Sequence, residues 1–211
     1  MSAVGITNEG KTFPVAFVWI PGETTEVWGW FLECLRHEIF GDGVLDPAVV
    51  LTDMALGVIV AVDKLAALLN SQLQYCIWHA QQAIIAWIRK GRYIKDEVDE
   101  LKALVWDYLQ SATESELAIN RAIVRTKLQP AEQAYLDSWS IKEGRTVHCF
   151  TNRYRNLGAR ASSRVESWHR VPHDVLNGQM LIEQSARQLT ARGGPSGVQV
   201  PPVCTPRQHL P

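Results

Sequence analysis

Strand-like and helix-like stretches alternate between Thr12 and Trp78, and helix-compatible sequence then runs on to about Ile141. This order predicts an α/β protein, a mixed sheet with crossover helices, carrying a helical insertion over about residues 79–141. The run Ala48-Val49-Val50-Leu51 that ends on Thr52-Asp53 is the centre of the reading. A short apolar run bounded by Pro47 and a carboxylate suits a strand buried on both faces.

Each element has its own reason. Thr12 to Ile20 is dense in Phe and Val, with Pro14 tolerable near a strand start or at an edge, and Pro21-Gly22 ends it. Glu23-Thr24-Thr25-Glu26 has the Thr and Glu of a helix entry, and the helix should reach about Ile39. Its apolar positions Val27, Trp30, Phe31, Cys34 and Leu35 recur at helical spacing. Gly41-Asp42-Gly43 is a turn into the strand that ends at Asp53. Met54 to Leu69 is long and apolar, so Thr52 or Asp53 caps a helix there. Equally, a carboxylate at the carboxyl end of a strand stands where α/β sheets gather ligands, a metal included.

Gln72 to Trp78 is expected to be a third strand, with the Thr12–Ile20 strand pairing beside Ala48–Asp53. Pro130 interrupts the helical stretch and Ala131 restarts it. Pro172 to Leu189 suits a last helix, residues 1–11 a leader, and the Gly- and Pro-rich residues 191–211 a disordered tail.

The 211 residues fit one domain of ordinary size, and a formal net charge of -1 exerts no global pull on nucleic acid. No run of eighteen apolar residues spans a membrane, and Met1 to Asn8 lacks the basic start and apolar run of a secretory signal. Cys34, Cys76, Cys149 and Cys204 follow no framework pattern, which fits an intracellular, reduced protein.

Two further stretches carry residues with chemistry. Cys76-Ile77-Trp78-His79 offers a thiolate and an imidazole that can share a zinc, with His148-Cys149 as a second pair; a buried Cys beside a hydrogen-bonded His is the plainer alternative. Between Arg145 and Arg170 stand six Arg and one acid, Glu166. Ser162-Ser163-Arg164-Val165-Glu166 has the shape of a capping box. It also suits a phosphodiester with a divalent metal, where Arg153, Arg155, Arg160 and Arg164 would grip DNA phosphate and the carboxylate would hold the ion.

Taken in order, Phe13-Pro14-Val15-Ala16-Phe17, Val50-Leu51-Thr52-Asp53, Cys76-Ile77-Trp78-His79, Leu157-Gly158 and Ser163-Arg164-Val165-Glu166-Ser167 resemble the transposase domain of Mutator-like elements (MULE). The resemblance covers roughly residues 10–180, and a partial domain of this kind over 12–190 is expected. It implies an RNase-H-like fold in which Asp53 and Glu166 are the second and third catalytic acids of a DDE-type transposase and ligands of Mg2+ or Mn2+. It makes Cys76 and His79 the family's Cys-x-x-His motif, implies DNA as partner and the nucleus as location, and leaves room for a homo-oligomer. The first catalytic Asp has no counterpart, since Glu9 is the one acid before the Thr12 strand, so the fold's first strands are expected to be missing. The function implied is ancestral metal-dependent DNA strand cleavage and transfer, inactive in this chain alone. The alternatives are a domesticated, non-enzymatic DNA-associated or transcription-regulatory protein and a helical interaction module.

Overall fold

The computed structural model describes residues 2–18, 22–41, 47–69, 71–91, 93–163 and 165. A hairpin opens the chain. Gly10 N–H donates to Thr7 O at 2.9 Å and Thr7 N–H to Lys11 O at 2.8 Å, and Gly10 supplies the positive φ of 75° that the turn needs. This turn joins strand β1 (Ser2–Ile6) to the antiparallel strand β2 (Thr12–Phe17). Pairing slips between Ala3 and Val4, so that Val4 meets Pro14, a residue that cannot donate to a ladder. Two expectations change here. The residues read as a leader contain β1, and the strand beginning at Thr12 pairs with β1 rather than with the strand ending at Asp53. A five-residue closure costs far less entropy than a long-range pairing, and nothing in β2's own side chains specified its partner. The proposed end of that strand at Ile20 lies outside the described residues.

Helix α1 (Thr25–Glu38) starts where the Thr/Glu cluster placed it: Thr24 accepts from Val27 N–H at 3.4 Å. Its buried Phe31, Leu32 and Leu35 pack on helix α2 (Leu56–Leu69). Gly57 permits the close approach, because a Cβ there would stand 2.9 Å from the Glu23 carbonyl oxygen.

Strand β3 (Val49–Thr52) pairs parallel with strand β4 (Gln72–Tyr75), from Val49↔Gln72 to Thr52↔Tyr75, with α2 as the crossover. Leu73 and Tyr75 join Val58, Ala61 and Val62 of α2 in one core. The expected strand to Trp78 stops at Tyr75 because Ile77, Ala80, Ile84, Ile85 and Ile88 recur at helical spacing and bury one face of helix α3 (Ile77–Ile88).

The expected helical layer begins at that helix and continues through α4 (Lys95–Gln110), α5 (Glu114–Thr126), α6 (Pro130–Ser138), α7 (Ser140–Thr146) and α8 (His148–Thr151). Pro130 occupies the first turn of α6, where a missing N–H costs nothing. Val105, Leu109, Val124, Leu136 and Trp139 form its buried centre, and Met54 touches both this core and the α1–α2 core. The described part of the chain is thus mixed α/β. Among the described residues no helix is long and apolar enough to cross a membrane.

Tyr108 is fully buried in the helical core and donates to Glu143 Oε1 at 2.7 Å, where Arg121 Nη1 also lies at 3.4 Å. Burial first, and the bond to Glu143 second, hold this phenol neutral well above its ordinary 10.0. The unfolded chain would release that proton near its ordinary value while the folded one retains it, so stability is present below pH 10 and falls as pH rises. The wild-type chain should lose about 1.4 kcal/mol per pH unit more than Tyr108→Phe above that point. Urea unfolding at stepped alkaline pH measures the difference, and parallel slopes for the two chains would refute it.

Candidate functional site

The parallel ladder runs one step past the strand ends, with Cys76 N–H donating to Thr52 O at 2.8 Å. Asp53 and Cys76 therefore leave the carboxyl end of the sheet as neighbours. Asp53 is half-buried, and its Oδ1 accepts from Ala55 N–H at 3.1 Å. Since α2 begins at Leu56, the carboxylate shapes the turn before the helix instead of capping it. Asp53 Oδ2 has no hydrogen-bond donor among the described residues.

Cys76 occupies the N-cap of α3, is 1% exposed, and makes no side-chain cap. Its sulfur instead accepts from Ser162 N–H at 3.2 Å and faces Ser162 Oγ at 3.4 Å. The same hydroxyl lies 3.3 Å from His79 Nδ1. Beside it, Ile77 N–H donates to Arg160 O at 2.9 Å. Residues 160–162 thus cross the first turn of α3, and Val165 N–H closes a turn back to Ser162 O at 2.8 Å. Cys76 and His79 share a serine. Among the described residues no group of three or more His, Cys, Asp or Glu side chains gathers at metal-binding distance, so His148-Cys149 does not complete a zinc set. Cys149 is buried elsewhere, its N–H bound to Ser111 O at 2.9 Å, and burial pushes its thiol up.

A buried amide network holds this crossing in place. Gln74, on the face of β4 opposite Leu73 and Tyr75, donates to Thr151 O at 2.9 Å. Its Oε1 accepts from Asn156 Nδ2 at 3.3 Å, and Asn156 Oδ1 accepts from Gly158 N–H at 3.1 Å. Between them Leu157 is held at φ 51° and Gly158 at φ 74°. A non-glycine residue in that region persists because its surroundings fix it.

The arginines are less open than their density suggested. Arg145 is bound to Asp63 Oδ1 at 2.7 Å and to the Tyr75 hydroxyl at 3.0 Å, contacts that raise its affinity for its proton. Arg153 pairs with Glu114, bonds Cys149 O at 3.1 Å and lies over the Phe150 ring. Arg160 donates to Leu109 O at 3.1 Å and to Gln110 Oε1. Arg155 is exposed. Glu166 and Arg164, and with them the expected meeting of Glu166 and Asp53, lie outside the described residues. Sequence reading missed Gln74 and Asn156. The available signal was a glutamine between Leu73 and Tyr75, a polar break in a run that otherwise reads as buried.

The Cys76 sulfur holds Ser162 against the sheet end, so Cys76→Ala should cost roughly 1–3 kcal/mol by leaving the Ser162 N–H unpaired. Cys76→Ser, which restores an acceptor, should recover part of that loss. Denaturant midpoints at constant m-value read the effect. Equal losses in both variants would mean that the sulfur contributes volume alone.

No solved structure matches the chain. Among curated proteins it is 26% identical, over 186 residues, to a PKS-NRPS hybrid synthetase cheA of Chaetomium globosum, covering 77% of this chain and 4% of that protein. The chain therefore spans a small fraction of the curated relative it matches. Residues 1–83, which contain β1 through the start of α3 with Asp53, Cys76 and His79, match the family model of the MULE transposase domain, so the resemblance read from those motifs is shown for this stretch of the chain.

Proposed function

We propose that the chain contributes the part of a Mutator-like transposase core that binds DNA and a divalent cation at Asp53, on an RNase-H-like sheet. The observation that carries this reading is the placement of Asp53. It directly follows β3 at the carboxyl end of a parallel pair, within the family match, with one carboxylate oxygen unbonded among the described residues. Such an oxygen suits Mg2+ or Mn2+, hard cations that accept one or two carboxylates together with water, whereas the Cys76 and His79 side chains suit neither and are joined to Ser162. A divalent ion supplies charge stabilisation at a phosphodiester and lowers the pKa of a bound water. Asp53 and Glu166 would hold it. Ser162, four positions before Glu166 in the chain, is fastened to Cys76 beside Asp53, which supports their cooperation. Arg155, Arg160 and Arg164 remain the candidates for phosphate, with Arg153 available only on release from Glu114. Nuclear action on element-end DNA belongs to the same reading.

DNA association without strand cleavage is the second reading, and one observation favours it. None of the four described strands carries an acid, so β1 and β2 offer no carboxylate to bridge two ions with Asp53.

Added Mn2+ at about ten times its Kd should stabilise the fold by about 1.4 kcal/mol, a rise in Tm of roughly 3–6 °C. Asp53→Asn should abolish that response. Melts with and without the ion test it, and an unchanged response in the variant would remove Asp53 from the site. On duplex DNA, Arg155→Glu should lower the log–log salt slope by about one or more, because one phosphate contact is lost and repulsion is added. Fluorescence anisotropy across a salt series measures it, and an unaltered slope would place the DNA elsewhere.

A further inference from the structure

A groove of about 270 Å3 opens between the last turn of α4 and residues 158–163, beside the start of α3. Ile77, Trp106, Gln110, Gly158, Arg160 and Ser163 wall it. It is close to the lower end of the roughly 300–1,000 Å3 of small-molecule sites, enough for one planar ring and an attached polar group.

Its charge is unusual for this chain. Arg145 and Arg153 each meet a carboxylate, Asp63 and Glu114 respectively. Arg160 meets only neutral acceptors, Leu109 O and Gln110 Oε1, its Nε is buried without a partner, and among the described residues no carboxylate pairs with it. Burial lowers its hold on its proton, the direction expected of a desolvated cation lacking a counter-charge. The two neutral contacts also orient the groove. With Gln110 Oε1 taken by the guanidinium, the amide presents donors from Nε2, for which the described residues provide no acceptor. Trp106 is half-buried, packed against the helical core while also lining the groove. A fixed cation, an amide donor and an aromatic wall together match a phosphate, a base edge and a base face.

We propose that this groove is a nucleotide subsite, in which Trp106 stacks on a base, Gln110 Nε2 donates to the base edge and Arg160 faces the phosphate. The proposal rests on the DNA reading above and deepens it. Ile77, which lines the groove, follows the Cys76 that bonds Thr52 at the end of β3, so the subsite opens from the sheet end that bears Asp53. A base paired and stacked within a duplex cannot enter such a groove, so the occupant is a nucleotide of a single or splayed strand.

The test uses the full chain with its eight tryptophans replaced by 5-fluorotryptophan and followed by fluorine NMR, with Trp106→Phe assigning the resonance. The probes are thymidine 5′-monophosphate, thymidine and inorganic phosphate. The Trp106 resonance should move saturably with the nucleotide, and thymidine or phosphate alone should each bind at least roughly fivefold more weakly, since each makes only part of the contacts. Arg160→Gln should weaken the nucleotide by a similar factor and Arg160→Lys by less. Arg160 also braces the end of α4, so Trp106→Leu is examined in parallel by anisotropy of a labelled thymidine oligonucleotide against the same strand with one abasic site. Wild type should prefer the intact strand and the Trp106 variant should not. A Trp106 resonance unmoved by the nucleotide, phosphate binding as tightly as the nucleotide, or no preference for the intact strand would each overturn the subsite. The Mn2+ melt on the same samples is read separately. A shifting Trp106 without a metal response would leave the subsite standing and remove the cation from Asp53.

Discussion

The arrangement of this protein depends on a buried glutamine. Gln74 sits on a strand whose neighbours Leu73 and Tyr75 turn into the α1–α2 core, so its own side chain must emerge on the helical side. An amide buried there without partners would cost several kcal/mol. It has partners because the chain returns through helices α3 to α8 and presents Thr151 O and Asn156. That requirement fixes where residues 151–158 lie. The Asn156 turn, the positive φ of Leu157 and Gly158, and the passage of Arg160 and Ser162 over α3 all follow from it.

The same constraint explains how distant motifs come together. Asp53 reaches the sheet end through strand pairing, and Cys76 through the same ladder one strand along. Ser162 reaches it only because the 151–158 segment is anchored first. The thiol of Cys76 then serves as an acceptor for Ser162, and His79 takes up the other side of the hydroxyl. Cys-x-x-His here is a clasp between an early strand and a late segment, the buried Cys and hydrogen-bonded His that stood as the plainer alternative to a zinc pair.

Charge is distributed with comparable economy. Two arginines of the basic segment, Arg145 and Arg153, are matched by acids from elsewhere in the chain, Asp63 on α2 and Glu114 on α5. Among the described residues of the segment, Arg155 on the surface and Arg160 in its groove meet no carboxylate. A net charge of -1 gives no long-range attraction, so any hold on a phosphate chain has to come from such short-range, positioned contacts.

Local patterns in the sequence were enough for the elements whose signals are local. Thr24 with Glu26 located the start of α1, Pro130 the start of α6, and the Val49–Thr52 run a strand, though one in a two-stranded sheet and only partly buried, and the family match over residues 1–83 agrees with the motif order read there. Where periods compete, local reading failed: Gln72 to Trp78 reads as one apolar run, yet the buried face of α3 begins at Ile77. Pairing was not legible at all, since β2 carries no mark distinguishing β1 from β3 as its neighbour and loop-closure entropy decided it. Nor could the sequence say which arginines were spent on the fold. A guanidinium's partner is set by which carboxylate the tertiary packing brings within about 3 Å, and Asp63 and Glu114 lie far from Arg145 and Arg153 in the chain.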